Sequence, residues 1–420
     1  MRIATDDDLN GRVESNTEIT RFTRAFESGG VTTYWSLMSA SSRECAKIAH
    51  MPTPVVDAVD IGARIAAARD ELGLTQADLG RQINVDRTGV VKIEAGTRKV
   101  SASELVQIAA ALDRPIDWFV VESPPAIVSR RQDAAVGGHS IAFDRLIERL
   151  ARDVEFLERD GILPAIERPR LQMPSSAEAA EAVAAQAREL MSLGDGPVHD
   201  LQRASEGIGL LAFALDVEAD GGDAAYVSLG DWGVALINGA IDPGRRRFNL
   251  AHELGHFLFD DAYAPEISIA SVGSETERII NAFAVHLLLP RSFVAQTWEE
   301  FTDHRMAAVA IAVRARVSWS AVCGHLKNLG FVNDAERSDL ANDPPGKADF
   351  MELGERWVSE LDAPSTPPDY GRRVLKGYRT GRLSVERTIE LLWGEVTRAD
   401  LPDLSEVPLQ ALRREFDPLP

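Results

Sequence analysis

The stretch RRFNLAHELGHFLF, residues 246–259, decides how this chain is read. At its centre His252-Glu253-Leu254-Gly255-His256 forms an H-E-x-x-H. On a helix, positions i and i+4 lie on one face, so His252 and His256 can hold one metal ion together. Glu253 sits beside them, where its carboxylate can take a proton from water. The flanks suit a buried helix, because Phe248, Leu250, Ala251, Leu254, Phe257, Leu258 and Phe259 surround the polar trio. A catalytic zinc site takes a third protein ligand and keeps one position open. Downstream, Glu277 and Asn281 lie one helical turn apart on an apolar run that stops at Pro290. Glu277 is the natural third ligand, with Glu275 as another nearby carboxylate. Asn281 is placed to hydrogen-bond a ligand histidine.

The whole chain bounds this reading. At 420 residues it has room for about two to four domains. With 45% hydrophobic and 26% charged residues it is globular in composition. The net charge of −20 repels nucleic acid overall, so any DNA contact needs a local basic surface. Two cysteines, Cys45 and Cys323, cannot build a disulfide framework or a thiolate metal site. No apolar run approaches a membrane span and no secretory segment opens the chain, so a cytoplasmic protein without a membrane partner is expected.

Taken in order, residues 1–56 are polar and aperiodic, which predicts a mostly disordered segment. Residues 57–121 predict five short helices. Ile61, Ile65, Ala68 and Leu72 share one face, Thr75 caps a second helix, and a tight turn at Asn84-Val85 leads to a third from Arg87 to Glu94. A tight turn between the second and third helices is a helix-turn-helix layout. Residues 122–174 read as a Pro-containing linker followed by a long amphipathic helix, which can pack on the next domain or pair in a homodimer. Residues 175–292 give helices, then strand-like runs at 208–215, 225–229 and 233–237, then the motif helix. That order predicts an α+β domain with a small antiparallel sheet. Residues 293–335 form a helical extension, and 336–420 a linker with a C-terminal helical pair.

Two resemblances become specific on these residues. TQADLGRQINVDRTGVVKIEAGTRKVSASELVQIAAALDRPIDWFV, from Thr75, resembles the helix-turn-helix domain of phage-repressor (XRE-type) regulators. The resemblance implies binding to double-stranded operator DNA. Arg87, Thr88 and Lys92 would lie on the recognition helix, Arg98 and Lys99 near the backbone, and Gln76 at a phosphate or behind the recognition helix. Residues 61–120 hold eight basic and eight acidic side chains, so this module is neutral within an acidic chain. The region from about 175 to 292 resembles the ImmA/IrrE metallopeptidases through R-R-x-x-L-A-H-E-L-G-H at 246–256 and E-x-x-x-N-x-F-A-x-x-L-L-x-P at 277–290. It departs from that family at Ile279-Ile280, where an acidic residue and Ala are common. The resemblance implies a zincin-like fold with Zn²⁺ (or Mn²⁺) on His252, His256 and Glu277, and Glu253 as general base. It also implies a protein substrate, a helix-turn-helix repressor or antitoxin, or the chain itself through its 122–135 linker. Tyr263 and His325 are candidates for oxyanion stabilisation, while His286 lies on the wrong helix face. The rival expectation is a regulator whose zincin-like domain only senses or scaffolds, as in the regulator half of a toxin–antitoxin or prophage pair.

Overall fold

The computed structural model describes residues 57–114, 116–120, 129–131, 141–217, 222–259, 275–356 and 358–403. The expected disorder of 1–56, Tyr263 and most of the 122–135 linker fall outside them. The chain divides into two compact units, residues 1–123 and 124–420.

The first unit is helical, with α1 (Ala58–Glu71), α2 (Gln76–Gln82), α3 (Arg87–Glu94), α4 (Ala102–Ala111) and α5 (Ile116–Val120). Each start is chemically marked. Asp57, Thr75 and Ser101 make reciprocal capping boxes with the residue three positions on, and the Asp86 side chain accepts the Gly89 N–H at 2.6 Å. Such caps satisfy backbone donors that a helix start leaves unpaired. The turn between α2 and α3 carries Asn84 at φ 56°, a left-handed position that Asn tolerates. Ile65, Leu79, Val90, Ile93, Ile108, Leu112 and Phe119 fill one core.

The second unit is built on a four-stranded sheet in the order β1-β3-β4-β2, with β1 (Ser129–Arg131), β2 (Leu210–Leu215), β3 (Ala224–Leu229) and β4 (Trp232–Asn238). The sheet is mixed, which corrects the antiparallel expectation. β3 pairs antiparallel with both β1 and β4, but β2 runs parallel to β4. The reason lies in the turn before β4. The tight turn at Gly230-Asp231, with Gly230 at φ 70°, folds β4 back on β3, and the other edge of β4 takes the wholly buried β2 in place of a β2–β3 hairpin. The expected linker also yields a strand, β1.

Helices cover both faces. On one side lie α6 (Ile141–Arg159) and the C-terminal α16 (Pro368–Arg379) and α17 (Val385–Leu391), sharing a core of Ile147, Leu150, Val154, Phe213, Leu236, Tyr370 and Leu391. The amphipathic α6 therefore packs on the sheet. On the other side lie α7 (Ala180–Leu190), α8 (Leu201–Gly207), the motif helix α9 (Pro243–Phe259), α10 (Glu275–Leu288), α11 (Arg291–Glu300), α12 (His304–Ala315) and α13 (Trp319–Asn328) around a second core. Two smaller helices, α14 (Asp334–Asn342) and α15 (Lys347–Leu353), follow. Among the described residues no single helix is long and apolar enough to cross a membrane.

Candidate metal centre

α9 starts where the chain supplies a proline and a cap. Pro243 opens it, and the Asp242 side chain accepts the Gly244 N–H at 2.9 Å. The helix is buried along nearly its whole length, including His252, Glu253 and His256. Gly255 lets α10 approach closely, since a Cβ there would stand 2.9 Å from Ile280 Cγ2 and 3.2 Å from Phe283 Cδ1. The close approach carries the first turn of α10, and with it Glu277, up to the two imidazoles.

His252, His256 and Glu277 each offer a ligand atom, all within 4.8 Å of one another. The two Nε2 atoms are 3.1 Å apart, and Glu277 stands 3.3 Å from His252 Nε2 and 3.7 Å from His256 Nε2. A tetrahedron with bonds of 2.0–2.1 Å has edges of about 3.3 Å, so the donor set fits an ion of zinc's size and ligand preference. The tautomer fits as well. His252 Nδ1 lies 3.1 Å from Asn281 Oδ1, an acceptor, so the proton sits on Nδ1 and the Nε2 lone pair faces the cluster. The imidazoles are almost wholly buried while the Glu277 side chain is 35% exposed, so the cluster opens towards solvent on the α10 side. Glu275, the other carboxylate considered, is turned outward to Arg278 at 2.8 Å.

Glu253 is fully buried on the same helix. One turn before it Asn249 is also fully buried, and its amide N and O have no hydrogen-bond partner among the described residues. By helical spacing Asn249 shares the stripe of His252, His256 and Glu253. No pattern in the sequence marks it.

The sequence also hid the supports of α9. Arg247 is buried, donates to Val198 O at 2.8 Å and pairs with Glu360. Burial pulls its guanidinium down to about 9. Arg246 donates to Leu361 O at 2.6 Å and to Asp362 at 2.8 Å. The segment around Glu360 thus clasps the motif helix. His325 is not brought to the cluster. Its Nε2 bonds Leu289 O at 2.9 Å, its ring meets His286 at 4.8 Å, and burial lowers its pKa to about 4.

In the first unit Arg87, Thr88 and Lys92 are exposed along α3. Gln76 turns inward and donates to Glu94 Oε2 at 2.8 Å, next to the Arg69–Glu94 pair at 2.6 Å, so it braces α3. Arg98 is half-buried and paired with Glu104 at 2.5 Å.

Against known proteins, residues 65–119 match the helix-turn-helix family model, and residues 206–327 match the model of the IrrE N-terminal-like domain. The radiation response metalloprotease IrrE of Deinococcus radiodurans is 39% identical over 94 residues, 21% of this chain and 29% of that protein. An HTH-type transcriptional regulator of Sinorhizobium medicae is 33% identical over 73 residues, 17% of this chain and 51% of that one. The chain therefore spans about a third to a half of the length of these curated relatives. The crystal structure of the restriction-modification controller protein C.AhdI from Aeromonas hydrophila is 33% identical, covering 14% of this chain and 92% of that chain with a TM-score of 0.14. The chain carries a helix-turn-helix domain and an IrrE N-terminal-like domain.

Proposed function

We propose that this chain, joining a helix-turn-helix domain to an IrrE-like domain, is a DNA-binding regulator that also hydrolyses peptide bonds at a metal centre. The observation that carries the reading is the convergence of His252, His256 and Glu277 beside Glu253, with Asn281 fixing the His252 ring. His252 and His256 would hold the ion through Nε2 and Glu277 through its carboxylate. A bound Zn²⁺ (or Mn²⁺) supplies Lewis acidity there, polarising a carbonyl and making water acidic enough to lose a proton near neutral pH. Glu253 takes that proton on its carboxylate as water attacks the peptide carbonyl, then returns it to the departing amine nitrogen. Its burial keeps the carboxylate away from bulk water and so strengthens its electrostatic interactions with the reacting atoms.

The substrate this reading favours is a protein, namely a helix-turn-helix repressor, an antitoxin, or this chain itself. The DNA arm would present Arg87, Thr88 and Lys92 to operator DNA, with Arg98 at the backbone and Gln76 holding the recognition helix. The test is incubation of the metal-loaded chain with repressors encoded beside its gene, followed by mass spectrometry. Defined fragments that vanish on chelation are expected. Intact partners and an intact chain across the panel would leave the regulator without its peptidase.

A further inference from the structure

We infer that the strand Ser129–Arg131 occupies the peptide-binding edge of the metal centre, so that this chain keeps its own groove filled from within. The inference rests on the peptidase reading above. It starts from β1, which adds antiparallel to the outer side of β3 and also packs against α9.

The neighbours of α9 fix which way its polar stripe looks. Gly255 and Phe259 meet Ile280 and Phe283 of α10. Phe257 meets Tyr226 of β3, with ring centroids 6.3 Å apart. Arg247 turns to Val198 and Glu360, on the opposite flank from β3. From Phe259 round to Phe257, through roughly 160° at 100° per residue, one passes His252, Arg245, His256, Asn249 and Glu253. That stripe therefore faces the gap between α10 and the β3 edge. Arg245, a member of the stripe, bridges the gap to Asp223, directly before β3.

Direction follows from the same contacts. The start of α9 meets the start of β3 through Arg245 and Asp223, and a later turn meets Tyr226 through Phe257. β3 thus runs the same way as α9, and β1 runs against both. An extended peptide that binds by strand addition takes main-chain hydrogen bonds from a free edge. Among the described residues, β3 offers no free edge along Ala224–Tyr226. The β2 edge is bridged at Ala214, which exchanges two backbone hydrogen bonds of 2.9 Å with Ser365. The β3 edge, beside Glu253, is closed by β1. A substrate strand that pairs with β3 along Ala224–Tyr226 must displace β1 first, and at three residues β1 is short against the usual five or six. β1 also follows, within a few residues, the end of the helix-turn-helix unit at Ser123. The groove is thus held by the segment that ties the two units together in sequence.

The test uses the full chain, metal-free, with Arg130→Pro and Arg131→Pro made separately. Neighbouring residues of an edge strand point their N–H groups in opposite directions, so one of the two prolines must remove a ladder donor. The probe is a fluorescein-labelled peptide copying residues 126–134, and its binding is read by anisotropy. The proline variant that opens the edge should bind it at least ten-fold more tightly than the parent, with parental thermal melting. If neither variant binds more tightly than the parent, the inference fails. Hydrogen exchange on the parent gives a second measure. Amides of 129–131 should be protected and should lose protection as unlabelled peptide is added, and protection that persists while the peptide binds would overturn it. Cleavage of the probe by metal-loaded protein bears on the peptidase reading alone, so the two can fail separately.

Discussion

His252 Nδ1 and Asn281 Oδ1 stand 3.1 Å apart, joining the motif helix to the helix that carries Glu277. The bond holds the ring so that Nε2 faces His256 and Glu277, and it makes the ring more basic. Asn281→Ala should keep the fold and lose about 10–100-fold in metal affinity, read by competition with a chelator. Parental affinity in that variant would mean that packing alone orients His252.

Asn249 buries an amide with no hydrogen-bond partner among the described residues, next to Glu253 on the stripe. A buried unpaired amide costs roughly 1–3 kcal/mol, a cost retained where a passing ligand uses the group. Asn249→Leu, similar in size, should raise the urea midpoint and lower the rate of cleavage. A variant that melts earlier and cleaves as fast as the parent would assign Asn249 a purely structural bond.

His325 gives the fold an acid limit. Burial, together with the neighbouring His286, holds its pKa near 4 in place of the ordinary 6.5. Between those values the unfolded chain binds more protons than the folded one, so stability rises with pH through this window. It is fully present above about pH 6.5 and falls by about 3 kcal/mol as pH drops to about 4. His325→Gln should flatten that slope in urea melts taken across the window. An unchanged slope would place the acid sensitivity elsewhere.

On the helix-turn-helix domain the exposed cations should outweigh the paired one. Lys92 is exposed on α3, whereas Arg98 is half-buried against Glu104 at 2.5 Å. With a fragment of the chain's own promoter, Lys92→Ala should weaken binding and reduce the slope of log K against log salt by about 0.9. Arg98→Ala should do less. The reverse order would show that Arg98 leaves Glu104 to meet phosphate.

What the sequence disclosed and what it hid divide along contact range. The helices were legible because their signals are local, as with Thr75 and Ser101 as caps and the i, i+4 spacing of His252 and His256. Glu277 and Asn281 were legible because one short helix carries both. The parallel pairing of β2 with β4 was not, since Gly221-Gly222 suggests a hairpin and nothing local says that β4 enters between β2 and β3. Nor was β1, three residues in a polar run. The clasp of Arg247 by Glu360 spans 113 positions, and an acidic residue in a Pro-rich stretch gives no sign of its partner. Asn249 looked like one more helix residue, because its lack of a partner is visible only once the helix is buried.

The central claim is that one cluster holds a metal and that Glu253 works on the water beside it. The direct measurement is made on Glu253→Gln, with metal content by elemental analysis and fragments by mass spectrometry in the same sample. The account predicts about one metal ion per chain, parental melting and cleavage slowed by at least about a hundred-fold. Fragments produced at the parental rate by a metal-loaded Glu253→Gln protein would contradict it.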